Sequence, residues 1–135
     1  QVDRSALAGL AAAVGWLSDP AQTERLTTAR QLAQQFLEGV RGIPQVTLFS
    51  PELSDARMPT VAFRLETMDS VRAAKALREC GVIVAGGMQC APLAHKTLET
   101  APGGLLRVSL GPGNDAEDVT LAISAIEEIA SAGKP

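Results

Sequence analysis

Four segments of the chain carry apolar residues at helical spacing. Residues 5–17 are apolar on nearly every side, so a helix there must be covered by another surface. Polar residues that start helices precede the other three segments: Asp19 with Pro20, Asp69, and Asn114 with a capping-box Glu117. The predicted inner faces of these three helices are Leu26, Ala29, Ala33, Phe36 and Val40; Val71, Ala74 and Leu77; and Val119, Ala122, Ile123, Ile126 and Ile129.

Four shorter segments have the pattern of strands. Residues 60–66 alternate Val61, Phe63 and Leu65 with more polar neighbours, which is typical of a half-buried strand. The others are the short apolar runs 46–50, 82–85 and 105–111. The order α-α-β-β-α-β-β-α predicts an α+β fold, a small and mostly antiparallel sheet of about four strands with helices packed on one face.

Composition narrows the class of protein. The chain has 135 residues, the size of one domain, and its 46% hydrophobic content excludes a disordered tail. A net charge of -3 argues against a nucleic-acid surface, and no apolar run is long enough to span a membrane. With only two cysteines, a disulfide scaffold is excluded and a reduced, cytoplasmic setting fits best. Since the first residue is not Met, we expect a piece of a longer chain.

The candidate functional residues lie in and beside the long, glycine-rich connection 86–104. Cys90 lies there as a loop thiol able to reach a substrate, although an inert small side chain is the commoner role of a cysteine. Arg107 lies in the following strand, either on a solvent face or directed at an anion that its planar fork would bind. Cys80, at a helix end, is interpreted as structural.

Two other features predict less. His95 is the only histidine, so a multi-histidine metal site is excluded and we expect no metal site. The turn GPGND (111–115) has the glycines of a phosphate cradle, but a turn and helix cap explain it more simply, and Asp115 would repel phosphate.

Residues 81–129 resemble the C-terminal part of class V aminotransferases, and more closely the cysteine desulfurase and selenocysteine lyase branch. The motifs that carry the resemblance are CAPLAHKTL (90–98) and, after it, GGLLRVSLGPGND (103–115). The upstream helix and strands match as well. The resemblance implies the small domain of a fold type I pyridoxal 5'-phosphate (PLP) enzyme, with residues 1–18 as a connecting helix toward a missing large domain and residues 19–135 as the small domain.

The resemblance implies roles for two residues. Cys90 corresponds to the nucleophile that takes sulfur from L-cysteine as a persulfide, and Arg107 to the arginine that binds the substrate α-carboxylate. The PLP lysine is expected in the large domain, so this chain alone should bind PLP weakly or not at all and should be inactive. Implied partners are the amino-acid substrate, the large domain, a second subunit in a homodimer and a sulfur-acceptor protein.

The sequence also departs from the family pattern. Ala85 stands where the family often has arginine, Gly86 where it often has another residue, and Gln89 where it has histidine, so the thiol should be less activated. Lys96, in AHK (94–96), imitates the family's PLP-lysine motif but follows Cys90, so we interpret Lys96 and its neighbour His95 as loop or short-helix residues.

Two alternatives stay open. One is a class V aminotransferase, epimerase or lyase in which Cys90 has no role. The other is a free-standing α+β module for dimerisation or ligand binding, in which a homodimer would cover the apolar first helix.

Overall fold

The computed structural model describes residues 2–54 and 56–132 as an α+β fold, which confirms the predicted class. Two of its helices pack on one face of an antiparallel sheet, and a third packs against these two helices. The elements are α1 Arg4–Leu17, α2 Ala21–Arg41, β1 Val46–Leu48, β2 Thr60–Leu65, α3 Ser70–Glu79, α4 Pro92–Thr97, β3 Leu106–Ser109 and α5 Ala116–Ala132.

The sheet has the strand order β1-β2-β3 and two different faces. The alternation along β2 places Val61, Phe63 and Leu65 on the buried face, while Thr60, Ala62 and Arg64 lie on the opposite, open face. On the buried side, α2, α3 and α5 complete the core, where the rings of Phe36 and Phe63 lie 6.0 Å apart. The open face carries the functional candidate on β3.

Only three strands form among the described residues, because the predicted strand 82–85 makes a single bridge between Ala85 and Arg107. The backbone explains the difference. Val82 donates its N–H to the carbonyl of Leu77 and so completes the end of α3, after Gly81 turns the chain at a φ of 82°. Little of this segment is therefore left to pair with β3.

The helix starts are partly as predicted. Asp69 caps α3 by accepting from the N–H groups of two following residues, as expected. The cap of α5 lies one residue later than predicted: Asp115 accepts from the N–H groups of Glu117 and Asp118, and Asp118 accepts from the N–H of Asp115. Asn114 instead accepts from the N–H of Gly111 and closes the preceding turn.

The inner face of α3 also differs from the prediction. Ser70, Ala73 and Leu77 are the buried residues, whereas Val71 is 61% exposed. The loop that follows α3 returns against its first turn, and this brings Ser70 inside.

No part of the chain that the structure describes buries helix α1, since every residue from Val2 to Pro20 is exposed. Its apolar side chains include Leu10 and Trp16, which agrees with the predicted need for a cover. The division at residue 18 into a connecting helix and a small domain stays a prediction. Of the helices described, none has both the length and the apolar character to cross a bilayer.

Candidate functional site

A cleft of about 300 Å³ lies between the open face of the sheet and the segment around α4. The sheet contributes Ala62 and Arg107, and the connecting segment contributes Cys90 and residues of α4. Both residues that the sequence singled out therefore line one cleft.

Arg107 is held by its backbone on both sides. Its N–H donates to the carbonyl of Ala85 at 2.8 Å, and the N–H of Ala85 donates back at 3.1 Å. On the other side it stands opposite Ala62 of β2. Because directly opposed residues share a face, the small Ala62 leaves room beside the arginine side chain. Within residues 2–54 and 56–132, no carboxylate forms a salt bridge with the Arg107 guanidinium, and the residue is exposed.

Cys90 is an exposed, free thiol just before α4. It follows Gln89, whose φ of 51° is unusual for a residue with a side chain and bends the backbone at the cleft. Cys80 differs, since it is half-buried and packs against the core at the end of α3, in keeping with its structural interpretation.

Ser70 ties the two ends of the Cys90 segment together. Its hydroxyl accepts from the N–H of Gly87 at 2.8 Å and donates to the carbonyl of Gly103. Next to this junction the N–H of Leu105 donates to the carbonyl of Gly87. Gly104 lies so close that a Cβ there would be 2.1 Å from the Gly87 backbone. The segment is thus closed at its base, and only a structure could reveal the role of a serine in the first turn of α3.

Gly86, one of the departures from the family pattern, fits a close approach to α3. A Cβ at this position would lie 2.4 Å from the carbonyl oxygen of Ser70 and 2.9 Å from the Cβ of Ala74. Of the other two departures, Ala85 forms the bridge to Arg107 and Gln89 lines the cleft.

Helix α4 places His95 and Lys96 in different surroundings. His95 is 6% exposed, lines the cleft, and has its Nδ1 2.7 Å from the hydroxyl of Thr100. Lys96 is exposed and is not among the described residues that line the cleft. Both are short-helix residues, as predicted, but the burial of His95 was missed because the sequence does not show that Thr100 turns back to meet it.

The ionisable side chains that line the cleft are few. Among the described residues they are the Cys90 thiol, the His95 imidazole and the Arg107 guanidinium. In the same part of the chain, no three His, Cys, Asp or Glu side chains come together in a way that could hold a metal ion. The arrangement can bind an anionic group and present a thiol beside it.

Comparison with known proteins finds similar solved structures and a matching family model. The chain is similar to the cysteine desulfurase CsdA (S-sulfonic acid) of Escherichia coli, with a TM-score of 0.79 and 25% identity over 92% of this chain and 29% of that one. A cysteine desulfurase of Thermococcus onnurineus has a TM-score of 0.72 at 21% identity, over 81% of this chain and 27% of that one. A NifS-like protein of Rickettsia africae has a TM-score of 0.64 at 19% identity, over 80% of this chain and 29% of that one.

These likenesses cover less than a third of each solved structure, and those below 25% identity show the fold alone. No curated protein sequence matches the chain. The family model described as aminotransferase class-V matches residues 4–121, which is most of the chain. The chain therefore belongs to the class V aminotransferase family.

Proposed function

We propose that this chain is the small-domain part of a cysteine desulfurase-like enzyme. Cys90 accepts the sulfur of L-cysteine as a persulfide, and Arg107 binds the α-carboxylate of the substrate. The observation that carries the proposal is the shared cleft, in which an exposed thiol and a guanidinium face the same space.

Arg107 suits the binding of a substrate carboxylate for a physical reason. Its backbone is fixed by hydrogen bonds to Ala85, and no described carboxylate forms a salt bridge with its guanidinium. A planar guanidinium binds a carboxylate through two parallel hydrogen bonds, which fixes the orientation of the ligand as well as its position. The rest of the amino acid then extends from a defined point in the cleft.

Cys90 suits the acceptance of sulfur because its thiol is exposed on a segment that is anchored at its base. In the proposed step the Cys90 thiolate attacks the substrate sulfur. The new S–S bond forms as the C–S bond breaks, and the carbon keeps the bonding electron pair. A thiolate is the reactive form of such a nucleophile.

The residues of this chain fit the substrate side of such a site and not the coenzyme side. Members of this family are PLP-dependent. No described lysine or carboxylate lines the cleft, so neither a linking amine nor a partner for a pyridine nitrogen is present there. We therefore assign PLP to a large domain outside this chain, and we expect the isolated chain to be inactive.

The same proposal extends to the partners. The large domain is the proposed cover of the exposed helix α1, whose apolar residues otherwise face solvent. A homodimer and a protein that accepts the sulfur belong to the desulfurase proposal and are supported by the family resemblance. The proposed cytoplasmic location rests instead on the scarcity of cysteines, which fits a reducing compartment.

A second function is favoured by one observation. Gln89 stands directly before Cys90, where the desulfurase pattern has histidine, and Ala85 supplies no charge. An aminotransferase, epimerase or lyase of class V would need Arg107 in the same role and would leave Cys90 without one.

The test is sulfide release from L-cysteine by the protein expressed from its complete reading frame. Cys90→Ser should abolish sulfide release, while the matched control Cys80→Ser should retain it. Arg107→Lys keeps the positive charge but loses the planar guanidinium that binds a carboxylate through two hydrogen bonds, so the KM for L-cysteine should rise by about tenfold or more. Unchanged sulfide release by Cys90→Ser would refute the desulfurase function and leave the second candidate.

A further inference from the structure

A buried imidazole lies in the same cleft as the proposed nucleophile. His95 is 6% exposed and lines the cleft together with Cys90 and Arg107. Neither the carboxylate contact nor the sulfur transfer described above uses this side chain.

The hydroxyl of Thr100 holds one nitrogen of the His95 ring. Thr100 is buried, and its Oγ1 lies 2.7 Å from Nδ1 of His95 and 3.5 Å from the carbonyl oxygen of the same residue. In the tautomer that carries its proton on Nδ1, that nitrogen donates to Oγ1 and the threonine proton can point to the carbonyl. A neutral His95 then has its lone pair on Nε2.

The other ring nitrogen reaches open space. Within the described residues, Nε2 of His95 has no hydrogen-bond partner, and it is not among the fully buried polar atoms that lack one. Nε2 is therefore not fully buried, and the cleft that His95 lines is shared with Cys90.

We infer that Nε2 of His95 is the proton acceptor of the Cys90 thiol, directly or through one water molecule. The S–H bond breaks, an N–H bond forms at Nε2, and the sulfur keeps the electron pair as a thiolate, so no oxidation is involved. This rests on the proposed role of Cys90 and gives the site an imidazole although Gln89 has replaced the family histidine.

The charged groups around His95 are few. From the sheet, β3 contributes Arg107 and β2 contributes only the uncharged Ala62. On its own segment, Lys96 and Glu99 are exposed. The Arg107 charge stabilises a thiolate in the cleft, and the Lys96 charge lies in solvent, where it is screened.

The experiment measures the alkylation rate of Cys90 by iodoacetamide from about pH 5 to about pH 10 in the complete protein. Cys80 is followed by mass spectrometry in the same sample. His95→Gln should slow the alkylation of Cys90 at pH 7 about tenfold, because the thiolate is the form that reacts.

Two pairs of variants separate a proton-transfer role from a structural one. Thr100→Val removes the hydroxyl and should shift the profile in the direction of His95→Gln, whereas Thr100→Ser should restore it. Lys96→Met removes a neighbouring charge and should leave the profile unchanged.

A pH profile of Cys90 alkylation that is the same in the unaltered protein, in His95→Gln and in Thr100→Val would overturn the inference. If His95→Gln fails to fold, seen as rapid alkylation of the half-buried Cys80, the threonine pair decides the question. The alkylation needs no substrate or coenzyme. If the alkylation profile is the same in all variants but sulfide release still depends on Cys90, only the role of His95 is refuted. If the profile changes but sulfide release does not depend on Cys90, only the desulfurase function is refuted.

Discussion

Replacing Ser70 with alanine should open the base of the Cys90 segment without unfolding the domain. The Ser70 hydroxyl accepts from the N–H of Gly87 and donates to the carbonyl of Gly103, so one side chain joins both ends of the segment. Alanine retains the Cβ and favours the helix, so α3 itself should persist.

The expected loss follows from the two hydrogen bonds. Each contributes about 1 kcal/mol net, and the cost rises when a buried partner is left unsatisfied. Gly103 is exposed and Gly87 is half-buried, so water can replace the hydroxyl at the first and partly at the second. We therefore expect the segment to lose about 1–2 kcal/mol of local stability.

Amide hydrogen exchange measures this loss residue by residue. The amides of Gly87 and Leu105, which hold the base, should exchange about tenfold faster in Ser70→Ala, because 1.4 kcal/mol corresponds to a factor of about ten. The amide of Val61 in the core should not change, and the exposed Ser124→Ala is the matched control. Unchanged exchange at Gly87 and Leu105 would show that the hydroxyl contributes nothing to closing the segment.

Two further predictions concern packing and charge. Gly86→Ala should destabilise the fold by about 1–3 kcal/mol in denaturant melts, because its Cβ would meet α3, whereas Gly103→Ala has open space and should be neutral. The Thr47 hydroxyl, and then Arg64, lower the pKa of Glu66. The ionised Glu66 carboxylate therefore stabilises the fold at pH values above the pKa that Glu66 has in the unfolded chain. This stability is lost as the pH falls through the pKa of Glu66 in the folded protein. Thr47→Val should raise the pKa of Glu66 in an NMR titration and reduce that acid-side loss.

Local patterns predicted the elements that depend on local physics. The alternation along β2 has the predicted burial, since Val61, Phe63 and Leu65 lie in the core. Asp69 caps α3 as expected, because an aspartate before a helix can bond only the N–H groups that follow it. The motifs around Cys90 and Arg107 were likewise sufficient to predict the family.

Elements that depend on distant contacts were not predicted. The apolar run 82–85 has the composition of a strand, yet Val82 is bound by the end of α3, so only Ala85 meets β3. The burial of Ser70 depends on glycines far along the chain, and the burial of His95 depends on a threonine beyond the turn that follows its helix. No pattern within one element reports such contacts.

The anchors of the Cys90 segment limit how the thiol can move. Ser70 fixes Gly87 at one end, and the contact between His95 and Thr100 fixes α4, which begins at Pro92. Between these anchors the carbonyl of Ala91 accepts from the N–H of His95, and Met88 bonds only to Ala91, so residues 88–90 have no described backbone hydrogen bond to either anchor. In the proposed desulfurase, the Cys90 thiol would therefore lie on a short tether between two anchors, while Arg107, the proposed carboxylate ligand, is fixed in the sheet. The amide-exchange measurement on Ser70→Ala bears on this directly, since loss of the first anchor should lengthen the mobile stretch toward Gly86.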